Sequence, residues 1–297
     1  MAGVGVAASG AQRAILCVLG ASALFAVAAA LVKAVSPFVP LAELVFFRSA
    51  IAFAALLPLL RGQGGWSALR TRRPWSHLGR TLAGLAGMFG AFYGYATLPL
   101  ATVTALGFSM PLFLTALSGP LLGERVGWAR GGAVLAGFAG VLVMVQPWQG
   151  AGGLPLGPVL VVAGGVAAWA LAMISIRRMG QAGERNLTIV LLFSLASSVL
   201  SGLAAVPVWV TPAGWHWGAL LGVGVLSAGA QLLMTEGYRS GEATMLAPFE
   251  YGAIVYATLL GLVVWGERPD VGDLVGLAVL VGSGLYIWRR ETRGAGA

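Results

Sequence analysis

A chain of 297 residues that is 58% hydrophobic and only 9% charged, with a mean hydropathy of +0.88, lies far from the roughly 25% charged residues of soluble domains. Lipid is its solvent, and its length divides into about ten spans of about 20 residues with short connections, which leaves no room for a soluble catalytic domain. The net charge of +8 would suit nucleic acid as a partner, and the placement of the basic residues decides against that below.

The N-terminal stretch MAGVGVAASGAQR is small and polar without a basic start. The apolar run after it lacks a cleavage signature, so a retained first span is expected rather than a signal peptide. The single cysteine, Cys17, sits in that run, reads as a small buried residue and rules out a disulfide framework within the chain. Apolar runs bounded by charge, Pro or Gly predict helices over 14–34, 41–60, 76–98, 101–123 and 131–146. A second set follows over 157–176, 187–206, 216–237, 243–265 and 271–288. Pro37, Pro40, Pro99, Pro147, Pro155, Pro207 and Pro212 fall at the connections, where a missing amide donor costs least. Pro58, Pro111, Pro120 and Pro248 lie within spans or near their ends.

The fourth and ninth spans carry a recurrence. Residues 101–125, ATVTALGFSMPLFLTALSGPLLGER, return as 243–268, ATMLAPFEYGAIVYATLLGLVVWGER. An offset of about 144 also lays Phe25 on Trp169, Lys33 on Arg177 and Gly140 on Gly284, while His77 and His216 open the third and eighth spans. Five spans are an odd number, so the second half enters the membrane upside down relative to the first. The expected organisation is an all-α integral membrane protein of ten transmembrane helices, with inverted five-helix repeats at 1–150 and 151–297. With a cytoplasmic N-terminus, the inside segments hold nearly every arginine, Arg70, Arg72, Arg73, Arg80, Arg178 and Arg185 among them, while the outside keeps Lys33 and Arg268. That is the positive-inside bias; it explains the basic charge without an acidic ligand and places both termini in the cytoplasm.

Two inverted halves give inward-open and outward-open states by exchanging conformations, the logic of secondary transporters. A membrane-embedded lipid-modifying enzyme, the competing class, needs a convergent acid/base or metal cluster. The sequence offers ten acidic residues, two distant His and one Cys, with no H-E-x-x-H and no phosphate-binding G-x-x-x-x-G-K-[ST] loop. No enzyme activity, metal or cofactor is therefore expected.

The ten spans, the Gly-Glu-Arg ends, Pro111 in the fourth helix, Arg48 in the second and the Gly-rich fifth and tenth helices resemble the drug/metabolite transporter superfamily, in its ten-helix EamA-type branch. The resemblance covers essentially the whole chain. It implies two five-helix repeats forming a basket around a central cavity, lined mainly by helices one, three, four, six, eight and nine. It also implies export of amino acids or related metabolites, with the aromatic amino acid exporter type as one candidate, from the inner (plasma) membrane.

Several residues carry a functional reading beside a packing one. Arg48 lies about eight residues into its span, where a charge costs roughly 2.5–3.5 kcal/mol on insertion scales; it contacts substrate, pairs with Glu43, caps carbonyls of a neighbouring helix or snorkels to the surface. Glu250 in the ninth helix binds a substrate ammonium, carries a coupling proton or makes a structural hydrogen bond. Pro111 and Pro248 kink corresponding helices, as hinges or as static bends. Phe25, Trp169, Tyr93, Tyr95, Phe108, Phe249 and Tyr251 are cavity candidates through stacking and cation-π contact, with helix packing or lipid contact as the alternative. Lys33 and Arg177 either gate the cavity by pairing with acidic or carbonyl groups or anchor at the interface. Gly90–Gly94, Gly119–Gly123 and Gly218–Gly222 have the spacing of close helix approach, and tryptophans such as Trp66, Trp75 and Trp215 mark span ends.

The expectation is a monomeric secondary transporter in the lipid bilayer that exports amino acids, large neutral and aromatic ones included, with possible proton coupling and no nucleic acid partner. An importer of a vitamin- or nucleotide-like solute is the first alternative.

Overall fold

The computed structural model of the chain describes residues 2–63, 65–110, 112–113, 116–117, 128–146, 154–240 and 252–294, and every regular element among them is helical. The first half comprises α1 (Ala2–Val35), α2 (Leu41–Leu56), α3 (Pro74–Thr97), α4 (Leu100–Gly107) and α5 (Trp128–Val145). The second comprises α6 (Leu156–Gln181), α7 (Asn186–Ala205), α8 (Trp215–Ser240), α9 (Gly252–Leu260, prolonged by a π turn over Gly261–Trp265) and α10 (Val271–Gly294). Proline sets several starts. Pro40 and Pro99 cap α2 and α4, and Pro74 stands in the first turn of α3, where its missing N–H would have had no helical partner in any case.

Hydropathy follows the bilayer. Gln12–Val35, Leu41–Gly62, Leu156–Ile176, Leu187–Val208 and Trp215–Met234 are long and apolar enough to cross a membrane. Large apolar side chains such as Leu135, Val263 and Val271 are more than 70% exposed, an arrangement stable only against lipid tails. Trp66, Trp75, Trp209, Trp215 and Trp217 are likewise exposed near helix ends, as amphipathic indoles at the headgroup level require. The fourth span differs from its prediction over 101–123: helix α4 stops at Gly107, and a turn follows at Phe108 and Ser109. Pro111, which supplies no amide to the carbonyl of Gly107, accounts for an interruption at this point.

The two halves are interlocked rather than side by side. Helix α1 packs on α8 and α3 on α6, while α2 meets α7, α4 meets α9 and α5 meets α10. Exchanging the halves maps α1–α8 onto α6–α3 and each remaining pair onto itself, the pattern of a twofold axis between repeats. Since lipid gives no hydrophobic force between helices, close contact must come from small residues. A Cβ on Gly90 would lie 2.8 Å from the Gly165 Cα, and one on Gly140 would lie 2.9 Å from the Gly276 carbonyl oxygen. Of the predicted glycine pairs, Gly90 and Gly94 both meet neighbouring helices; Gly222 faces Leu31 while Gly218 faces open space. Gly119–Gly123 lies outside the described residues.

One apolar core joins α1, α2, α3, α7 and α8 through Val32, Leu44, Leu85, Met88, Phe193 and Leu220. Another joins α4, α5 and α6 through Leu98, Val103, Met144 and Val162. Tyr95, half-buried, packs against both and against a third cluster around Ala29, Leu100 and Ala257. Helix α3 runs between these cores.

Candidate functional site

Helix α3 buries its polar side. Its inward stripe carries His77, Arg80, Thr81 and the glycines Gly84, Gly87, Gly90 and Gly94, and i, i+4 spacing sets Arg80, Gly84 and Met88 above one another. Arg80 is 6% exposed and lies over the Phe193 ring of α7 at 3.9 Å. Eight residues further along, Met88 Sδ accepts the Arg48 Nη1 donor of α2 at 3.5 Å. Arg80 Nη1 reaches along α3 to the position that a Cβ on Gly84 would fill, toward Met88. A line of positive charge therefore follows the buried face of α3 through an otherwise apolar interior.

At the end of α3 beyond Tyr95 polar contacts tie several helices together. Lys33 Nζ, at the end of α1, makes a 2.7 Å ion pair with Glu267 Oε1 and donates to the Leu98 carbonyl at 2.6 Å. Glu267 Oε2 accepts the Leu100 N–H, one of the open donors at the start of α4, at 2.8 Å. Trp265 completes the cluster, with Lys33 Nζ 5.6 Å from its ring centre. One carboxylate thus joins α1, α4 and the end of α9.

Backbone geometry delivers that carboxylate. Gly266 takes φ +68 after the π turn, and the Glu267 N–H donates to the Gly261 carbonyl at 3.1 Å, a left-handed helix ending for which glycine is the usual residue. Glu267 then folds back over the helix end so closely that a Cβ on Gly261 would lie 2.6 Å from its Oε2.

The opposite end of α3 has a different closure. Glu184 Oε1 accepts the Thr71 hydroxyl at 2.6 Å, and its Oε2 lies 3.7 Å from His77 Nε2. Beside it opens a cavity of about 660 Å³ lined by Arg70, Arg72, Arg73, Ala182, Gly183, Glu184, Arg185 and Thr188. Glu184 also follows a left-handed glycine, Gly183 with φ +83.

The residues singled out from sequence fall into three groups. Arg48, Tyr95 and Lys33 belong to the buried polar line and its closed end. Lys33 pairs with both a carboxylate and a carbonyl, the two kinds of partner anticipated for it. Arg48 does not pair with Glu43, whose Oε1 instead accepts the Val210 N–H at 2.5 Å; Arg48 lies five residues further along α2, so its side chain leaves a different face of the helix. The aromatics make a second group, held in helix packing. Phe108 packs toward α5 with Leu112 and Ala133, and Trp169 lies against Gly87 of α3, 3.0 Å from the position of a Cβ there. Phe25 and Tyr93 are half-buried, and none of these aromatics lines the arginine-rich cavity. In the third group, Pro111, Pro248, Phe249, Glu250 and Tyr251 lie outside the described residues, as does the side chain of Arg177.

Sequence reasoning missed Glu267, Glu184 and Arg80. Glu267 served only as a marker of the repeat, although an acid at a span end facing the lone lysine was itself a signal. Gly183-Glu184-Arg185 is another copy of the tripeptide, hidden because it lies off the repeat offset. Arg80 was assigned to the cytoplasmic surface, yet it stands six residues inside α3 on the Gly84–Met88 face. Among the described residues, no group of His, Cys, Asp or Glu is placed to hold a metal ion.

The EamA-like transporter family model matches the chain twice, over residues 12–146 and 156–289. A riboflavin transporter of Rhizobium johnstonii is 31% identical over 255 residues, 86% of this chain and 83% of that one. The pseudopaline exporter CntI of Pseudomonas aeruginosa is 33% identical, covering 88% and 90%. An S-adenosylmethionine uptake transporter of Rickettsia prowazekii is 26% identical, covering 84% of each. A solved crystal structure superposes with a TM-score of 0.66 over 94% of this chain and 98% of that chain at 24% identity, a likeness of fold alone.

Proposed function

This chain belongs to the EamA-like transporter family, and from that premise we propose that it moves a small organic metabolite by alternating access between its inverted halves, with the Lys33–Glu267 face as the closed outer gate. The observation that carries the reading is the contrast along α3. One end is tied by a carboxylate shared among α1, α4 and α9, while the buried polar stripe continues to an arginine-lined cavity at the other. The orientation follows from Arg70, Arg72, Arg73 and Arg185 at that second face, which the positive-inside rule assigns to the cytoplasm. On this reading both termini are cytoplasmic and the carrier sits in the cell's inner membrane.

The relatives named for riboflavin, S-adenosylmethionine and pseudopaline favour a solute larger than a common amino acid, and support the vitamin- or nucleotide-like alternative over amino acid export. Export of aromatic amino acids is kept as the second reading because Phe92 and Tyr95 pair at 6.4 Å beside Arg48, an aromatic and cationic surface suited to such a solute.

Counterflow into reconstituted vesicles separates the readings, with labelled riboflavin, S-adenosylmethionine and phenylalanine as probes. Saturable accumulation of either of the first two supports the larger-solute reading, and accumulation of phenylalanine alone restores amino acid export. In right-side-out vesicles, labelling of a cysteine at Leu98 that slows on solute release would contradict the outer placement of the gate.

A further inference from the structure

We propose that Arg48 and Arg80 together hold a carboxylate or phosphate group of the solute, which makes the carrier's cargo an organic anion or a zwitterion; this rests on the transport reading above. Arg80 is nine-tenths buried, and its Nε and Nη1 have no hydrogen-bond partner among the described residues. Gly84 makes the room: a Cβ there would overlap Arg80 Nη1 and lie 2.7 Å from the Phe193 ring. Among the described residues, the hydrogen-bond acceptor of Arg48 is the thioether of Met88, a weak acceptor. Arg80 Nη1 extends along α3 to Gly84 and Arg48 Nη1 meets the same face one turn on, at Met88; two guanidinium groups on one buried face in a medium of low dielectric are unfavourable without an anion between or beside them.

The five carboxylates whose side chains are described each have a partner away from Arg48 and Arg80. Glu43 accepts from Val210, Glu184 from Thr71, and Glu267 serves Lys33 and Leu100. Asp270 and Asp273 each accept a backbone N–H from the other's residue. Other unpartnered groups lie on the same helices. The Ser49 hydroxyl follows Arg48 on α2, and the Ser197 hydroxyl lies one turn beyond Phe193 on α7; both are buried without a hydrogen-bond partner. Helices α2, α3 and α7 pack on one another, so the orphaned polar atoms of this region gather on three mutually contacting elements. Buried polar atoms left open in a folded protein call for an explanation; on α2 the Glu43 Oε2 is also open, at the far end beside Val210, while the open nitrogens of Arg80 are donors only. An oxyanion answers them, since guanidinium presents a planar fork that fits carboxylate and phosphate oxygens.

The test uses the purified full-length protein and its thermal unfolding midpoint. Citrate, inorganic phosphate and flavin mononucleotide serve as probes, with sodium chloride at matched ionic strength and riboflavin, which lacks the phosphate of flavin mononucleotide, as controls. The proposal expects an anion-dependent rise in the midpoint, larger for flavin mononucleotide than for riboflavin. Arg80→Gln should weaken the half-saturating concentration about tenfold or more, the equivalent of about 1.4 kcal/mol, while its anion-free midpoint equals or exceeds that of the parent. Arg80→Met, which keeps volume over Phe193, should behave in the same way.

Absence of any anion response in the parent would overturn the proposal, as would an unchanged response in both variants. So would a fall in the anion-free midpoint of both variants, because a carboxylate of the chain would then already neutralise Arg80. A response present in phosphatidylcholine nanodiscs and abolished by phosphatidylglycerol would assign the site to a lipid headgroup and overturn it as a solute site. If vesicles show no counterflow while the response survives, the transport reading falls and the anion site stands.

Discussion

Two Gly-Glu-Arg tripeptides end helices at opposite faces of this protein, and they do unequal work. At Gly266–Arg268 the glutamate makes a 2.7 Å ion pair with Lys33 and accepts the first open amide of α4. At Gly183–Arg185 the glutamate accepts one threonine hydroxyl and stands 3.7 Å from a histidine, beside an arginine-lined cavity. Both glycines are left-handed, with φ +68 and +83, so the backbone device is the same and the difference lies in what each carboxylate meets. A carrier with related halves needs equivalent closures on both faces, and it needs them unequal at any moment. On the transport reading proposed above, the inequality corresponds to a molecule tied at the lysine face and loose at the arginine face.

The largest effect expected is on the crossing that both faces share. Gly90 and Gly165 bring the backbones of α3 and α6 together, and backbone cannot swing aside as a side chain can. Gly90→Leu should cost about 3 kcal/mol, the upper end for overpacking, and deplete folded protein, read as loss of the monodisperse peak in size-exclusion chromatography. A well-folded Gly90→Leu protein would mean that the two faces do not pivot about this contact.

Next in size is the lysine face. Lys33 and Glu267 are 14% and 18% exposed, so Glu267→Gln strands a buried ammonium and should destabilise by about 3 kcal/mol. Labelling of a cysteine at Leu98 by an impermeant maleimide should accelerate as the face opens, in a background with Cys17 replaced. Lys33→Gln combined with Glu267→Gln should cost less than the sum of the two singles, by about 1–3 kcal/mol in a double-mutant cycle. Additive costs would mean that the pair sits at this face without closing it.

Much of this was legible in the sequence, and the reasons differ by residue. Helix positions followed from hydropathy, because in lipid each span must satisfy its own backbone and the breaks fall where proline withholds an amide. Lys33 was legible because a lone lysine at an outer span end has few kinds of partner. The identity of that partner was not, because Glu267 lies 234 residues away in the chain and only folding brings α9 against α1. Arg80 was misread because counting charges near span ends ignores rotation about the helix axis; the i+4 glycine and i+8 methionine place it inward. Rotation also decided the aromatics: Phe108 and Trp169 turn toward α5 and α3, and composition cannot say which way a ring on a lipid-embedded helix faces. The hinge residues and Glu250 fall outside the described residues.

The smallest effect belongs to the arginine face. Glu184→Gln keeps an oxygen that accepts the Thr71 hydroxyl and removes only the charge facing His77 Nε2, already 3.7 Å away and outside hydrogen-bond range. Because the Thr71 bond survives and water reaches the neighbouring cavity, the loss should stay within about 1 kcal/mol, a drop of no more than a few degrees in the thermal midpoint. Labelling of a cysteine at Arg72, beside the cavity, should be nearly as fast as in the parent, because that face already admits water. Equal costs for Glu184→Gln and Glu267→Gln would erase the asymmetry and describe a protein shut at both ends. A larger cost at Glu184 would reverse it, and the face closed in the resting carrier would then be the one that bears the arginines.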